Sequence, residues 1–275
     1  MYLGQRVIHG TTDYSREVND WRTGSKAFAY TSGGYLYIGS DVPFNNLYID
    51  LGTTKNAVSA VVSAQMWWAQ AWTDAVDVID ETLVSGVSLA QSGRITFRPS
   101  DLKGWDSIPR TNDVSALSTY SIYDFYWARL SWNATLTSTT DLKYIGQKFS
   151  EDGDLFVYYP DLNSTALLTA HASGKTNWND QHFAAAEVII RSLMSKNIVW
   201  SKGQILDASR FVEASIHKTA EIIYSSFGSA YANNKTAAAE SYKSAINMGR
   251  FAIDLVGEAK LEKDVKRNHT MWQTR

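Results

Sequence analysis

Between residues 205 and 227 apolar side chains recur in steps of four or three, at Ala208, Val212, Ile216, Ala220, Ile223 and Phe227. That spacing stacks them on one face of an α-helix. Phe211, Ile222 and Tyr224 widen the stripe, while Arg210, Glu213, Lys218 and Glu221 fall outside it. Asp207 is placed to cap the start and Gly228 to end the helix. Similar patterns over residues 180–196 and 236–257 give this helix a partner on each side in sequence. They predict a helical domain of three to four helices over residues 178–258.

Between residues 26 and 149 the period becomes two. Leu47, Ile49 and Leu51 alternate with Tyr48 and Asp50, and Ala60, Val62, Ala64, Met66 and Trp68 alternate with Ser59, Val61, Ser63, Gln65 and Trp67. The same holds for Ile95 and Phe97, and for Tyr126, Ala128, Leu130 and Trp132. Short strands with two different faces, separated by Gly, Asn, Asp and Pro, predict an antiparallel β-sandwich. The fold class is therefore α+β. Residues 1–25 read as a polar arm, or as a strand-bearing edge of the sandwich. Residues 150–177 read as a linker with a short helix after Pro160-Asp161, and 259–275 as a charged tail.

The third helix carries a seam of small residues: Ala238, Tyr242, Ala245, Gly249, Ala252 and Val256. Ile246 and Ile253 extend it, and Met248, Phe251 and Leu255 lie around the other side. An apolar arc of this width suggests packing on two sides, inside a larger domain or against another subunit. Subunit contact makes all nine of the seam and far-side residues candidate interface positions.

Composition narrows the chemistry. Lys+Arg 26 against Asp+Glu 28 leaves no global field for nucleic acid or an anionic membrane. The absence of cysteine excludes thiol catalysis and thiolate metal sites. No apolar run reaches the ~20 residues of a membrane span, and the start lacks a signal-peptide core, so a cytoplasmic origin is expected. The five histidines (His9, His171, His182, His217, His269) show no ligand spacing, and His217 with Glu221 on one helix face is only half a metal site. No nucleophile elbow, phosphate loop or dinucleotide fingerprint is present, and Gly33-Gly34 precedes a strand. Asp74, Asp77, Asp80 and Glu81 are the carboxylates a glycosidase would use, and Glu151, Asp152 and Asp154 the oxygens a hard cation would use. Both groups also suit ordinary acidic loops. Most of the ten tryptophans fall in the sandwich, as core filling or as a flat platform for sugar. No enzyme, cofactor or metal is expected.

Three runs carry a resemblance: Trp72-Thr-Asp-Ala-Val-Asp-Val-Ile-Asp-Glu-Thr, Ser88-Leu-Ala-Gln-Ser-Gly-Arg-Ile-Thr-Phe and Tyr126-Trp-Ala-Arg-Leu. With Tyr35-Leu-Tyr-Ile-Gly-Ser-Asp-Val-Pro-Phe they are similar to a β-sandwich pattern of tailed-bacteriophage structural proteins. Residues 178–265 resemble the helical head-to-tail connectors (adaptors) that dock under a portal ring, of the N4-like podophage type. The resemblance implies a virion neck protein assembled in the host cytoplasm. It would form a dodecameric homo-oligomer ring joining capsid to tail and lining the DNA passage. Expected partners are the portal, tail tube, nozzle or fibre proteins, and DNA passing without specific binding, with no membrane. The large β domain departs from a minimal adaptor, which keeps a carbohydrate-binding tail, fibre or baseplate module as the alternative. In the tail, Lys260, Lys263, Lys266 and Arg267 with Trp272 form a candidate portal-docking segment.

Overall fold

The computed structural model describes residues 5–100, 102–111 and 114–248, and these divide into two compact units that meet in sequence at Gly146 and Gln147. The first unit is antiparallel β throughout its named strands. In chain order they are β1 (Gln5–His9), β2 (Thr12–Asp13), β3 (Lys26–Ala27), β4 (Leu36–Ser40), β5 (Asn46–Leu51) and β6 (Val62–Trp68). There follow β7 (Ala71–Asp74), β8 (Val76–Asp80), β9 (Gly93–Arg98), β10 (Ser107–Ile108), β11 (Phe125–Trp132) and β12 (Asp141–Gly146). A short helix α1 (Ser15–Val18) interrupts the series. The larger sheet runs β2-β1-β4-β11-β6-β7 with β10 beside β11, and the smaller runs β3-β12-β5-β9-β8.

Alternation sets the core. Ile38 lies opposite Val7 on one side and Ala128 on the other, and Ala128 lies opposite Met66. All four are buried. The next rung, Leu36–Leu130–Ala64, points the same way because side chains repeat every second residue. Leu47 opposite Ile95 supplies a matching buried pair in the smaller sheet. Trp132 Nε1 donates to Ser88 Oγ at 2.9 Å, and Ser88 Oγ donates to Asp80 Oδ2 at 2.6 Å. This polar chain ties β11 of one sheet to β8 of the other.

The larger sheet is covered on its second face too. Ile8, Tyr37 and Trp127 cluster there with Ile108, Val114 and Leu117 from the connection between β9 and β11. Gly39 makes this possible, since a Cβ at that position would stand 2.9 Å from the Trp127 ring.

Residues 1–25 are thus, over their described part, a working edge of the sheet and no arm. β1 pairs with β4 across five residues, and Val7 and Ile8 are fully buried.

The second unit contains α2 (Asp152–Tyr158), α3 (Thr165–His171), α4 (Asn179–Ser195), α5 (Val212–Ser226) and α6 (Ala232–Met248). Asp207 caps as expected, its carboxylate accepting from Ser209 N at 3.0 Å, although it opens a 3-10 turn (Ala208–Phe211) that leads into α5. Gly228, at φ +66°, ends the helix in the left-handed region that favours glycine. The stretch expected as a linker is instead part of this unit. Leu155, Leu162, Leu168 and Trp178 cluster with Ile216, Ala220 and Ile223 of α5, so 150–177 is helical layer and not spacer.

Removing residues 1–25 should abolish folding of the β unit. Burial of Val7 and Ile8 contributes about 3–6 kcal/mol, a large part of the roughly 5–15 kcal/mol that holds a domain. Circular dichroism and a thermal melt of the shortened chain check this; a cooperative melt at the full-length temperature would contradict it.

Candidate functional site

The structure gathers one constellation that the sequence hides. Ser150 follows β12, Asp152 opens α2, His182 lies in the first turn of α4, and Ser215 and Thr219 sit one turn apart on α5. Glu151 N donates to Asp154 Oδ2 at 2.9 Å across the start of α2, which holds Asp152 in place. His182 Nε2 stands 3.1 Å from Asp152 Oδ1, and its Nδ1 stands 2.8 Å from Ser150 Oγ and 3.3 Å from Thr219 Oγ1. Ser150 Oγ also stands 2.7 Å from Ser215 Oγ. Burial pushes the imidazole below its ordinary pKa; the Asp152 hydrogen bond opposes that and Lys148 adds to it. The ring is thus neutral, and the network assigns its proton to Nε2, donated to Asp152, leaving Nδ1 to accept from a hydroxyl.

Serine, imidazole and carboxylate in series is the order of a nucleophile, base and orienting acid. Access decides what it can do. His182 and Ser215 are 0 % exposed and Ser150 is 3 % exposed. The Ser150 hydroxyl is also shared with a second serine. With Oγ buried in this arrangement, the cluster clamps three segments together.

The remaining acidic candidates are committed in the same manner. Asp74 accepts from Gln65 Nε2, Asp77 from Arg98 Nε, and Asp80 from Thr82 and Ser88. Glu81 Oε2 accepts from Arg94 N, Glu151 pairs with Lys148, and Asp152 accepts from Trp178 N at 3.2 Å as well as from His182. His217 stands 4.0 Å from Glu213, while Glu221 accepts from Lys218. Among the described residues no group of three or more His, Asp or Glu gathers as a metal site.

Trp127 and Trp132 of the sandwich are buried, Trp67 and Trp72 are half-buried, and Trp200 of the helical unit is exposed. Arg129 lies 3.7 Å from the centre of the Tyr35 ring and 4.6 Å from that of Trp72, and its Nε donates to Gln65 Oε1 at 2.6 Å. Trp67 meets Trp72 at 74°, edge to face. A sugar platform needs a free flat face, and a guanidinium already lies against that of Trp72.

The interface residues of the third helix divide. Ala238 is fully buried in the α5 cluster, and Tyr242 and Ala245 pack against the core that holds Ile246, Ile189 and Phe211. The chain's own core therefore takes the start of that seam, because α6 lies along α5. This corrects the subunit-contact assignment for Ala238, which the chain's own core encloses, while Tyr242 and Ala245 are half-buried. Gly249, Phe251, Ala252, Leu255 and Val256, the Met248 side chain, and the docking residues Lys263, Lys266, Arg267 and Trp272 lie outside the described residues.

Compared with known protein families, with curated proteins and with solved structures, the chain finds no match. No helix among the described residues is long and apolar enough to cross a membrane.

Two outcomes follow from this geometry. A fluorophosphonate probe should leave Ser150 unlabelled in the folded chain, while Ser150→Ala should cost about 1–3 kcal/mol by leaving buried Ser215 without its partner and His182 Nδ1 with only the longer Thr219 contact. Labelling that disappears in Ser150→Ala would establish an accessible nucleophile. Ala238→Glu should unfold the helical unit rather than yield a folded monomer, since an unpaired buried carboxylate costs several kcal/mol. Calorimetry beside sedimentation separates the two.

Proposed function

We propose that this chain is a structural virion protein: a head-to-tail adaptor that rings the channel beneath a portal and joins capsid to tail. The observation that carries the reading is an uncharged apolar corner on the β unit. Residues 56–73 and 82–93 contain no charged side chain, in a chain that is 20 % charged. The two stretches meet where Ala60 bridges Val87, and they leave Val58, Val61, Leu83 and Val84 exposed, Val61 to 52 %.

The loop that presents Leu83 and Val84 is stiff. Asp80 accepts from Thr82 and Ser88, Leu89 N donates to Thr82 Oγ1 at 2.8 Å, and Ser59 Oγ donates to Gly86 O. A rigid, uncharged, apolar surface is the kind that a neighbouring subunit covers at little entropic cost. A near-neutral chain with its polar clusters spent internally suits a conduit that must not grip DNA.

The test mixes the purified chain with the portal ring of the same virus and images the product by negative stain. A collar of copies on the portal is expected. Val61→Glu with Val84→Glu, both at exposed positions, should fold normally and bind no portal. A bare portal with the unaltered chain at micromolar excess would overturn the adaptor reading.

A further inference from the structure

Among the described residues three histidines lie in the helical unit, and all three occupy one joint. His182 on α4 meets Ser150 and Asp152; His217 on α5 meets the hydroxyl of Tyr159 at 2.8 Å and the edge of Tyr158. His171 on α3 stands 3.5 Å from Gln181 of α4, edge-on to Trp178. Each imidazole thus bridges the 150–171 segment to the α4–α5 pair. The segment is also held by Leu155, Leu162 and Leu168 packed against α5, by Tyr224 Oη donating to Asp161 at 2.8 Å, and by Trp178 donating to Asp152 and to Leu162 O, none of which changes with imidazole protonation.

We propose that residues 150–171 form an acid-released latch, locked on α4 and α5 by neutral imidazoles and freed as a unit when they protonate. The inference is independent of the adaptor reading. A second proton on His182 would turn Nδ1 from acceptor to donor, so the Ser150 and Thr219 hydroxyls would have to rotate to accept from it, and would put a charge among buried side chains. Asp152 and Glu151 would favour the added charge and Lys148 oppose it. His171 Nδ1 is buried without a hydrogen-bond partner among the described residues, so a proton there creates an unsatisfied donor. Lys175 opposes that charge and Asp180 favours it. Around His217, Glu213 favours the charge and Tyr159 occupies Nδ1.

All three rings are held below the ordinary histidine pKa, with burial the first cause in each. The sign follows from that direction. The opened latch binds protons that the closed latch refuses, so closure is fully stabilised above about pH 6.5 and weakens as pH falls below it. Each ring that stays neutral when latched contributes up to about a tenfold shift toward opening per pH unit in that window.

Hydrogen exchange on the whole chain at about pH 7.5 and 5.5, corrected for intrinsic rates, reads the latch directly. Amides of 150–171 should lose roughly tenfold or more protection, while those of α5 and β11 keep theirs. His182→Gln, which can still donate to Asp152 but does not titrate, should remove about tenfold of that loss. Protection of 150–171 that is indifferent to pH, or that falls in step with α5 and β11, overturns the proposal. Should the variant fail to fold, NMR titration of the wild-type imidazoles decides. His182 titrating at the ordinary value in a closed latch also defeats it.

Discussion

The helical unit is arranged around a neutral imidazole that three segments share. Taking His182 out of water is tolerable only if both ring nitrogens are satisfied, and the partners come from the start of α2 and from α5. That requirement fixes where α2 can lie. Asp152 then also accepts from Trp178 N, and Trp178 Nε1 donates to Leu162 O at 3.0 Å, so the turn between α2 and α3 is pulled onto the same centre. Apolar burial supplies most of the stabilisation, but it is non-directional. The hydrogen bonds select one placement among several that would bury Leu155 and Leu168 equally well.

The β unit meets its own constraint differently. A sheet buried on both faces needs a second cover, and here the connection between β9 and β11 provides it. Arg129 projects into that cover, where its charge is met by aromatic faces and by Gln65 instead of by a carboxylate. The cost is visible in atoms that find no partner: Trp127 Nε1 and Tyr120 Oη are buried without one among the described residues. In the core between the sheets, Tyr30 Oη accepts from Trp132 N and the Trp132 indole donates to Ser88.

What the sequence made legible follows from how local each signal is. Strands β6 and β11 alternate over seven and eight residues, long enough for period two to stand out. The stripe of α5 and its Asp207 and Gly228 punctuation were equally local. β1 offered only Val7-Ile8, both buried, so alternation was absent and pairing with a strand nearly thirty residues away decided its fate. Helices α2 and α3 have seven residues each and bury one leucine apiece, too little for a 3.6-residue period to register. The seam of α6 was visible, but a wheel shows which side is apolar and not which neighbour covers it. The His182 cluster joins residues 30 and 32 positions apart, with a third partner 37 away, and no motif spacing records such a contact.

The same distinction separates chemistry from architecture. Nucleophile, base and acid in hydrogen-bonded series are necessary for acyl transfer, yet that series alone is equally what a buried hydroxyl and a buried imidazole adopt to satisfy one another. Exposure discriminates between the two, and Ser150 lies on the buried side of it. The converse holds at the β corner, where Val58, Val61, Leu83 and Val84 perform no internal task that would explain their exposure. A loop braced by Asp80, Thr82 and Ser88 spends those polar groups on rigidity while Leu83 and Val84 face outward. Rigidity of that kind lowers the entropy that a partner must overcome. On the adaptor proposal, the surface a neighbouring subunit would cover is this corner, where the chain's chemistry is poorest.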